Sequence, residues 1–198
     1  MAAAISDGNI GLFEIGEKEG KFFQAHEGEV SSVTFDPSGW KILSSGRDGK
    51  TLLWDIEISP PASKKFPESR KEILWAAFSP DGTRIASVGR DHLVHILKTS
   101  DGSEETAFIG HEDRVFRVIF SPDGKQVATV SMDATLRFWD LTTGKELFAL
   151  RLPANSGHPI PLYDFDFRCD SESGGNCRIA VPLTKGRLVL YNLGWIYD

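Results

Sequence analysis

The chain of 198 residues is poor in cysteine, methionine and tyrosine, with two, two and three of them. The two cysteines, Cys169 and Cys177, are too few for a disulfide scaffold. They flank Asp-Ser-Glu-Ser-Gly-Gly-Asn, a spacing that lets them face each other across a hairpin, and in a reducing cytosol free thiols are expected. No apolar run approaches the roughly 18 residues of a transmembrane helix. The opening MAAAISDGNI lacks the basic start and long apolar core of a secretory signal, so a cytoplasmic protein is expected. There is no excess of positive charge. The net charge of −6 suits solubility and argues against a nucleic-acid binder. A Gly-x-Ser-x-Gly elbow, a phosphate loop and a His-Glu-x-x-His pair are all missing. Cys169, Cys177 and His158 match no common zinc spacing, so no metal and no cofactor are expected.

What the chain does have is a repeat. Phe-Asp-Pro-Ser-Gly begins at Phe35, and Phe-Ser-Pro-Asp-Gly begins at Phe78 and again at Phe120, steps of 43 and 42 residues. Asp48, Asp91 and Asp133 keep the same step, each 13 residues after its phenylalanine. Two markers sharing one period weigh more than either alone. Between them run short segments of alternating apolar and polar residues, the pattern of half-buried strands. A period near 42 with four short strands per unit, here a to d, predicts the blades of a β-propeller. The predicted fold class is therefore all-β, with about three complete four-stranded antiparallel blades and two partial ones in a single segment, 1–198.

In chain order the units are 1–25 (partial), 26–68, 69–109, 110–152 and 157–198 (partial). The first lacks strand a, with strands expected at Ala2–Ile5, Ile10–Ile15 and Lys21–Ala25. In the second, the prolines at 60, 61 and 67 predict an irregular loop with a poor outer strand, because proline donates no ladder hydrogen bond. The fifth carries an insertion in its a–b hairpin, between Cys169 and Cys177, and places Lys185 where the others have aspartate. His92 and His95 fall on strand c of the third unit, three apart, and read as packing or surface residues on opposite faces.

The stretch from Gly110-His111 through Ser-Pro-Asp-Gly at 121–124 to Trp139-Asp140, together with Trp54-Asp55, resembles the WD-repeat β-propellers. The resemblance covers nearly the whole chain and implies a scaffold for protein interactions. In that family a histidine between blades, a strand-b hydroxyl, the b–c aspartate and the strand-c tryptophan form a hydrogen-bonded chain. It falls here on His26, Ser44, Asp48 and Trp54, and on His111, Thr129, Asp133 and Trp139. The third unit has Ser69 for the histidine and Leu97-Lys98 for Trp-Asp, so only a partial chain is expected there; the fifth has His158 but Tyr191 for the tryptophan. Both units are expected to rest mainly on apolar packing. His111, Asp133 and Thr129 also have the makings of a nucleophilic triad, but the structural chain accounts for them with better spacing, and no enzyme is expected.

By the same resemblance, partners bind the narrow face. Its contacts come from the residue before the b–c aspartate, here Arg47, Arg90 and Met132, and from the start of strand a, here Glu29, Ser31, Leu74, Arg114, Phe116 and Tyr163. Arginine with aromatic residues is a common hot-spot mixture, and converging arginines would receive an acidic peptide or a phosphate. The expected partner is a protein or peptide, with no nucleic acid and no membrane. The two partial units offer three strands each and do not sum to one blade. The chain is therefore expected to be part of a longer propeller, or to be completed by self-association or by another chain through its terminal strands. The regular Pro-Asp-Gly repeats resemble bacterial propellers attached to signalling ATPase, kinase or protease domains.

Overall fold

The computed structural model describes residues 1–4, 7–14, 16, 19–58, 60–67, 69, 71–151, 162–169, 177–183 and 187–193. Among the described residues there are eighteen strands and no helix. The strands form five antiparallel sheets whose order follows the chain. β1 (Ala2–Ala4), β2 (Asn9–Leu12) and β3 (Lys21–Gln24) make the first. β4 (Val30–Phe35), β5 (Lys41–Gly46), β6 (Thr51–Asp55) and β7 (Ala62–Lys65) make the second. β8 (Ile73–Phe78), β9 (Arg84–Gly89), β10 (Val94–Lys98) and β11 (Glu104–Phe108) make the third. β12 (Val115–Phe120), β13 (Gln126–Ser131), β14 (Thr135–Asp140) and β15 (Lys145–Arg151) make the fourth. β16 (Asp166–Cys169), β17 (Cys177–Leu183) and β18 (Arg187–Leu193) make the fifth. The blade architecture expected from the period is present.

Sequence explains each junction. The a–b hairpins close at Gly39, Gly82 and Gly124, with φ of 81°, 70° and 70°, and each glycine N–H bonds back to the carbonyl of Asp36, Ser79 or Ser121. Proline at the start of each turn presets φ, so register is fixed. Strands β5, β9 and β13 are buried almost end to end, which is why they lack simple alternation. Both of their faces are covered, because the core is a series of layers between successive sheets. Ile10 meets Ile42, Leu52 and Trp54. Leu43, Leu53 and Phe66 meet Ala76, Ile85 and Leu97. Val88, Ile96 and Phe108 meet Val118, Val127 and Trp139. Leu136 and Phe138 meet Leu162, Phe165 and Ile179. Each of the valine, leucine, isoleucine and phenylalanine side chains among them, fully buried, is worth about 1.5–3 kcal/mol. On β18, Leu188 and Leu190 are 60% and 66% exposed, while residues at their repeat positions in the third and fourth sheets, Val94, Ile96, Leu136 and Phe138, are buried.

Several expectations need correction. The poor outer strand of the second unit is a regular strand, β7, paired with β6 from Ala62 to Lys65. It starts just after the two adjacent prolines and is the outermost strand, so no ladder bond is lost to them. The second strand of the first sheet ends at Leu12, short of Ile15. His92 is not on strand c; it sits in the b–c turn ahead of β10, with φ of 71°. Gly49 and Ala134 hold the same repeat position at φ of 77° and 65°. The turn therefore demands a left-handed residue in each of these units, and only the second supplies a glycine. Cys169 and Cys177 are register partners on β16 and β17. His158, the insertion between the cysteines and Lys185 lie outside the described residues.

A left-handed residue with a Cβ is strained, by about 1–2 kcal/mol at a non-glycine position, partly offset by glycine's larger entropy loss. His92→Gly is therefore expected to stabilise the protein by about 0.5–1 kcal/mol, raising the melting temperature by about 1–4 °C. A calorimetric scan showing a lower melting temperature would contradict this account.

Candidate functional site

Turning the b–c corner puts an aspartate under the end of strand b, where its carboxylate is nearly enclosed. In the second sheet His26 Nδ1 lies 2.9 Å from Asp48 Oδ1, and His26 Nε2 lies 2.8 Å from Ser44 Oγ. Trp54 Nε1 donates to Ser44 Oγ at 2.9 Å. That donation leaves the serine O–H free to point at His26 Nε2, which puts the ring proton on Nδ1, against the carboxylate. The fourth sheet repeats the chain. His111 Nδ1 is 2.9 Å from Asp133 Oδ2, Nε2 is 2.7 Å from Thr129 Oγ1, and Trp139 Nε1 donates to Thr129 at 2.9 Å. All eight residues of the two sequence-predicted chains thus come together. Glu27 N and Glu112 N also donate to the two carboxylates, at 3.1 and 3.0 Å. Burial alone would raise both aspartates, but these hydrogen bonds outweigh it and hold both below the ordinary carboxylate range, Asp133 far below it. This is what a structural latch needs, because every polar side chain in it has a partner within the set.

The third sheet solves the same problem with different residues. Ser69 Oγ reaches Asp91 Oδ2 at 3.3 Å, the partial chain that the sequence predicts. A second donor was missed. His95 on β10 lies with Nε2 3.0 Å from Asp91 Oδ2 and Nδ1 2.6 Å from Glu104 Oε1. The histidine absent from the loop is, in effect, relocated to strand c. The fourth sheet carries Arg137 at the His95 position, paired with Glu146 at 2.6 Å. The third sheet is therefore not held by apolar packing alone. The Asp91 hydrogen bond, aided by Glu104 and opposed by burial, raises the His95 pKa above its ordinary 6.5. Burial would raise Asp91, but His95 and the Leu93 N–H outweigh it and lower it.

The residues expected at the narrow face sit along one edge of the sheets, where strands a begin. A one-residue bulge lies there in each complete sheet. Val30 opposes Gly46 and the next pair is Ser32 with Ser45, so Ser31 is left out of the ladder; the same slip skips Leu74 and Phe116. Bulges re-aim side chains, and here they do so at three of the predicted positions. A backbone bond ties the residue before each b–c aspartate to the stretch that leads into strand a. Arg47 N donates to Glu29 O, Arg90 N to Glu72 O and Met132 N to Arg114 O, each at 3.0 Å.

The charges on this edge are largely matched. Arg47 pairs with Glu29 at 2.8 Å and Arg90 contacts Glu72 at 2.8 Å, the latter as an ion pair without hydrogen-bond geometry. Arg47 and Arg90 share a cleft of about 270 Å³ with Asp48, Lys71 and Glu72, whereas Arg114 stands apart beside Asp113 at 3.8 Å. The three arginines do not meet at one point. What does converge is aromatic. The Phe116 and Tyr163 rings are 4.8 Å apart, with Tyr163 56% exposed. Next to them Arg117 lies over the Trp75 ring at 4.5 Å and pairs with Asp164. Glu72, Trp75, Arg117 and Asp164 were missed from sequence. Glu72 keeps the repeat step between Glu29 and Arg114, a signal that was there to use.

A family model described as WD domain, G-beta repeat matches residues 17–55, 62–97 and 102–140. Each matched stretch takes in the outer strand of one sheet and the first three strands of the next, up to the Trp-Asp position. No curated protein matches the chain.

Asp133→Ala takes the carboxylate partner from His111, Thr135 and the Glu112 N–H together. It is expected to cost about 1–3 kcal/mol in chemical denaturation, and a loss within error of zero would contradict the latch. The raised His95 pKa gives stability that is fully present below 6.5 and is lost as pH rises through the higher folded value. His95→Gln is therefore expected to flatten the fall in melting temperature on going up from pH 6. An unchanged pH profile would remove His95 from this role.

Proposed function

This chain belongs to the WD-repeat family, and from that premise we propose that it is a non-enzymatic protein-interaction module, cytoplasmic, that binds a protein or peptide on the edge where strands a begin. Its blade-like sheets supply a rigid support for exposed side chains. The observation that carries the reading is the Phe116–Tyr163 ring pair, set beside Arg117 and Trp75 on that edge. Two aromatic rings held by a bulge and by each other lose little entropy on binding, which is the character of a hot spot. The Glu29–Arg47 and Glu72–Arg90 pairs form a self-neutralised flank that favours a polar rim over a strong anion site.

The test is capture of partners from a cell extract by the immobilised chain, followed by mass spectrometry. Phe116→Ala with Tyr163→Ala is expected to lose the captured proteins while the melting temperature stays within about 3 °C, since a hot-spot side chain is worth about 2 kcal/mol or more to binding. Capture unchanged by the double substitution would refute this face as the site.

A further inference from the structure

The third sheet lacks two large side chains that its neighbours have. The position of His26 and His111 holds Ser69, and that of Trp54 and Trp139 holds Leu97. Between the second and third sheets, where those rings would stand, there is a cavity of about 350 Å³. Its walls include Thr51 from the second sheet and Ile73, Ser87 and Leu97 from the third, with Asp91, His95 and Glu104 at its polar side. A benzene ring is held by an apolar cavity of about 150 Å³, so the space suffices for a bicyclic ring.

Ser87 shows what the cavity is short of. It is the third sheet's counterpart of Ser44 and Thr129, directly opposite His95 in the ladder and only 4% exposed. Ser44 and Thr129 each accept an indole N–H and contact a histidine Nε2. Ser87 has neither. Leucine carries no side-chain N–H, Ser69 Oγ is turned to Asp91, and both ring nitrogens of His95 are engaged by Asp91 and Glu104. Among the described residues no side chain takes the place of the lost donors, so the Ser87 hydroxyl faces a half-open hole shaped by the absence of an aromatic ring.

We infer that this cavity is a binding site for a small planar heteroaromatic molecule carrying a ring N–H, with indole as its simplest form. The ring packs on Ile73 and Leu97, and its N–H donates to Ser87 Oγ. The site is separate from the aromatic edge at Phe116 and does not depend on the function proposed for it.

The probe is indole, titrated into the isotopically labelled chain and followed by amide chemical shifts. Saturable shifts are expected at residues around Ser87, Asp91, His95 and Leu97. Ser87→Ala removes the acceptor at nearly constant volume and is expected to weaken indole about fivefold, and indene, the same shape without N–H, to bind the wild-type chain about fivefold more weakly. Leu97→Trp fills the cavity and is expected to abolish the shifts. If that variant fails to fold, the serine variant and indene carry the test. Absence of saturable shifts, shifts elsewhere on the surface, or equal binding of indole by Leu97→Trp would overturn the site. Equal binding of indene and indole would overturn the role of the N–H.

Discussion

A carboxylate at the b–c corner that cannot be left unpaired governs the design of the second, third and fourth sheets. Strand b is covered on both faces, so the corner that follows it is drawn into low-dielectric surroundings. There an ionised group persists only when several donors converge on it. Asp133 collects a histidine, a threonine hydroxyl and backbone N–H groups. The histidine in turn reaches into the sheet to a hydroxyl that is itself held by a tryptophan. One polar requirement thus fixes the loop between units, the end of strand b and the middle of strand c relative to one another. The apolar layers between sheets then supply most of the burial, while the latch specifies the register in which those layers meet.

Much of this was legible in the sequence because the repeat prints the same physical demand several times. The Pro-Asp-Gly turns and the aspartate 13 residues beyond each phenylalanine located the hairpins and, with them, the sheets. The two full latches came from the family resemblance, which named the residues that the repeat places at those positions. What the linear pattern hides is substitution of one geometry for another. His95 looked like an ordinary strand histidine, because nothing in that pattern says that a side chain can reach Asp91 from strand c instead of from the preceding loop. His92 looked like a strand residue because a left-handed backbone leaves no mark unless glycine occupies it. The edge pairs were half legible. Arg47 and Glu29 both stood out, but their mutual neutralisation depends on side-chain distance, which only the fold provides.

The third sheet is where the repeat and the individual residues diverge. With Ser69 and Leu97 in place of two large rings, it keeps its carboxylate satisfied through His95, but leaves a hydroxyl without its usual donors and open space beside it. The fourth sheet is fully furnished at the same positions, down to the Arg137–Glu146 pair that corresponds to His95–Glu104. Units of one architecture therefore differ in how completely they are filled. A repeat fold can carry local chemistry in one unit without disturbing its neighbours.

The outer strands β3, β7 and β11 each lie on one sheet yet belong, by the family match, to the repeat that builds the next. Successive repeats therefore overlap like roof shingles, each fastened by hydrogen bonds to the sheet before it. Loosening one sheet strips an edge from the repeat that follows, so opening of a single unit is penalised twice, once in its own core and once in its neighbour's border. The assembly should accordingly breathe in linked groups of strands rather than sheet by sheet, with slow amide exchange shared across each overlap.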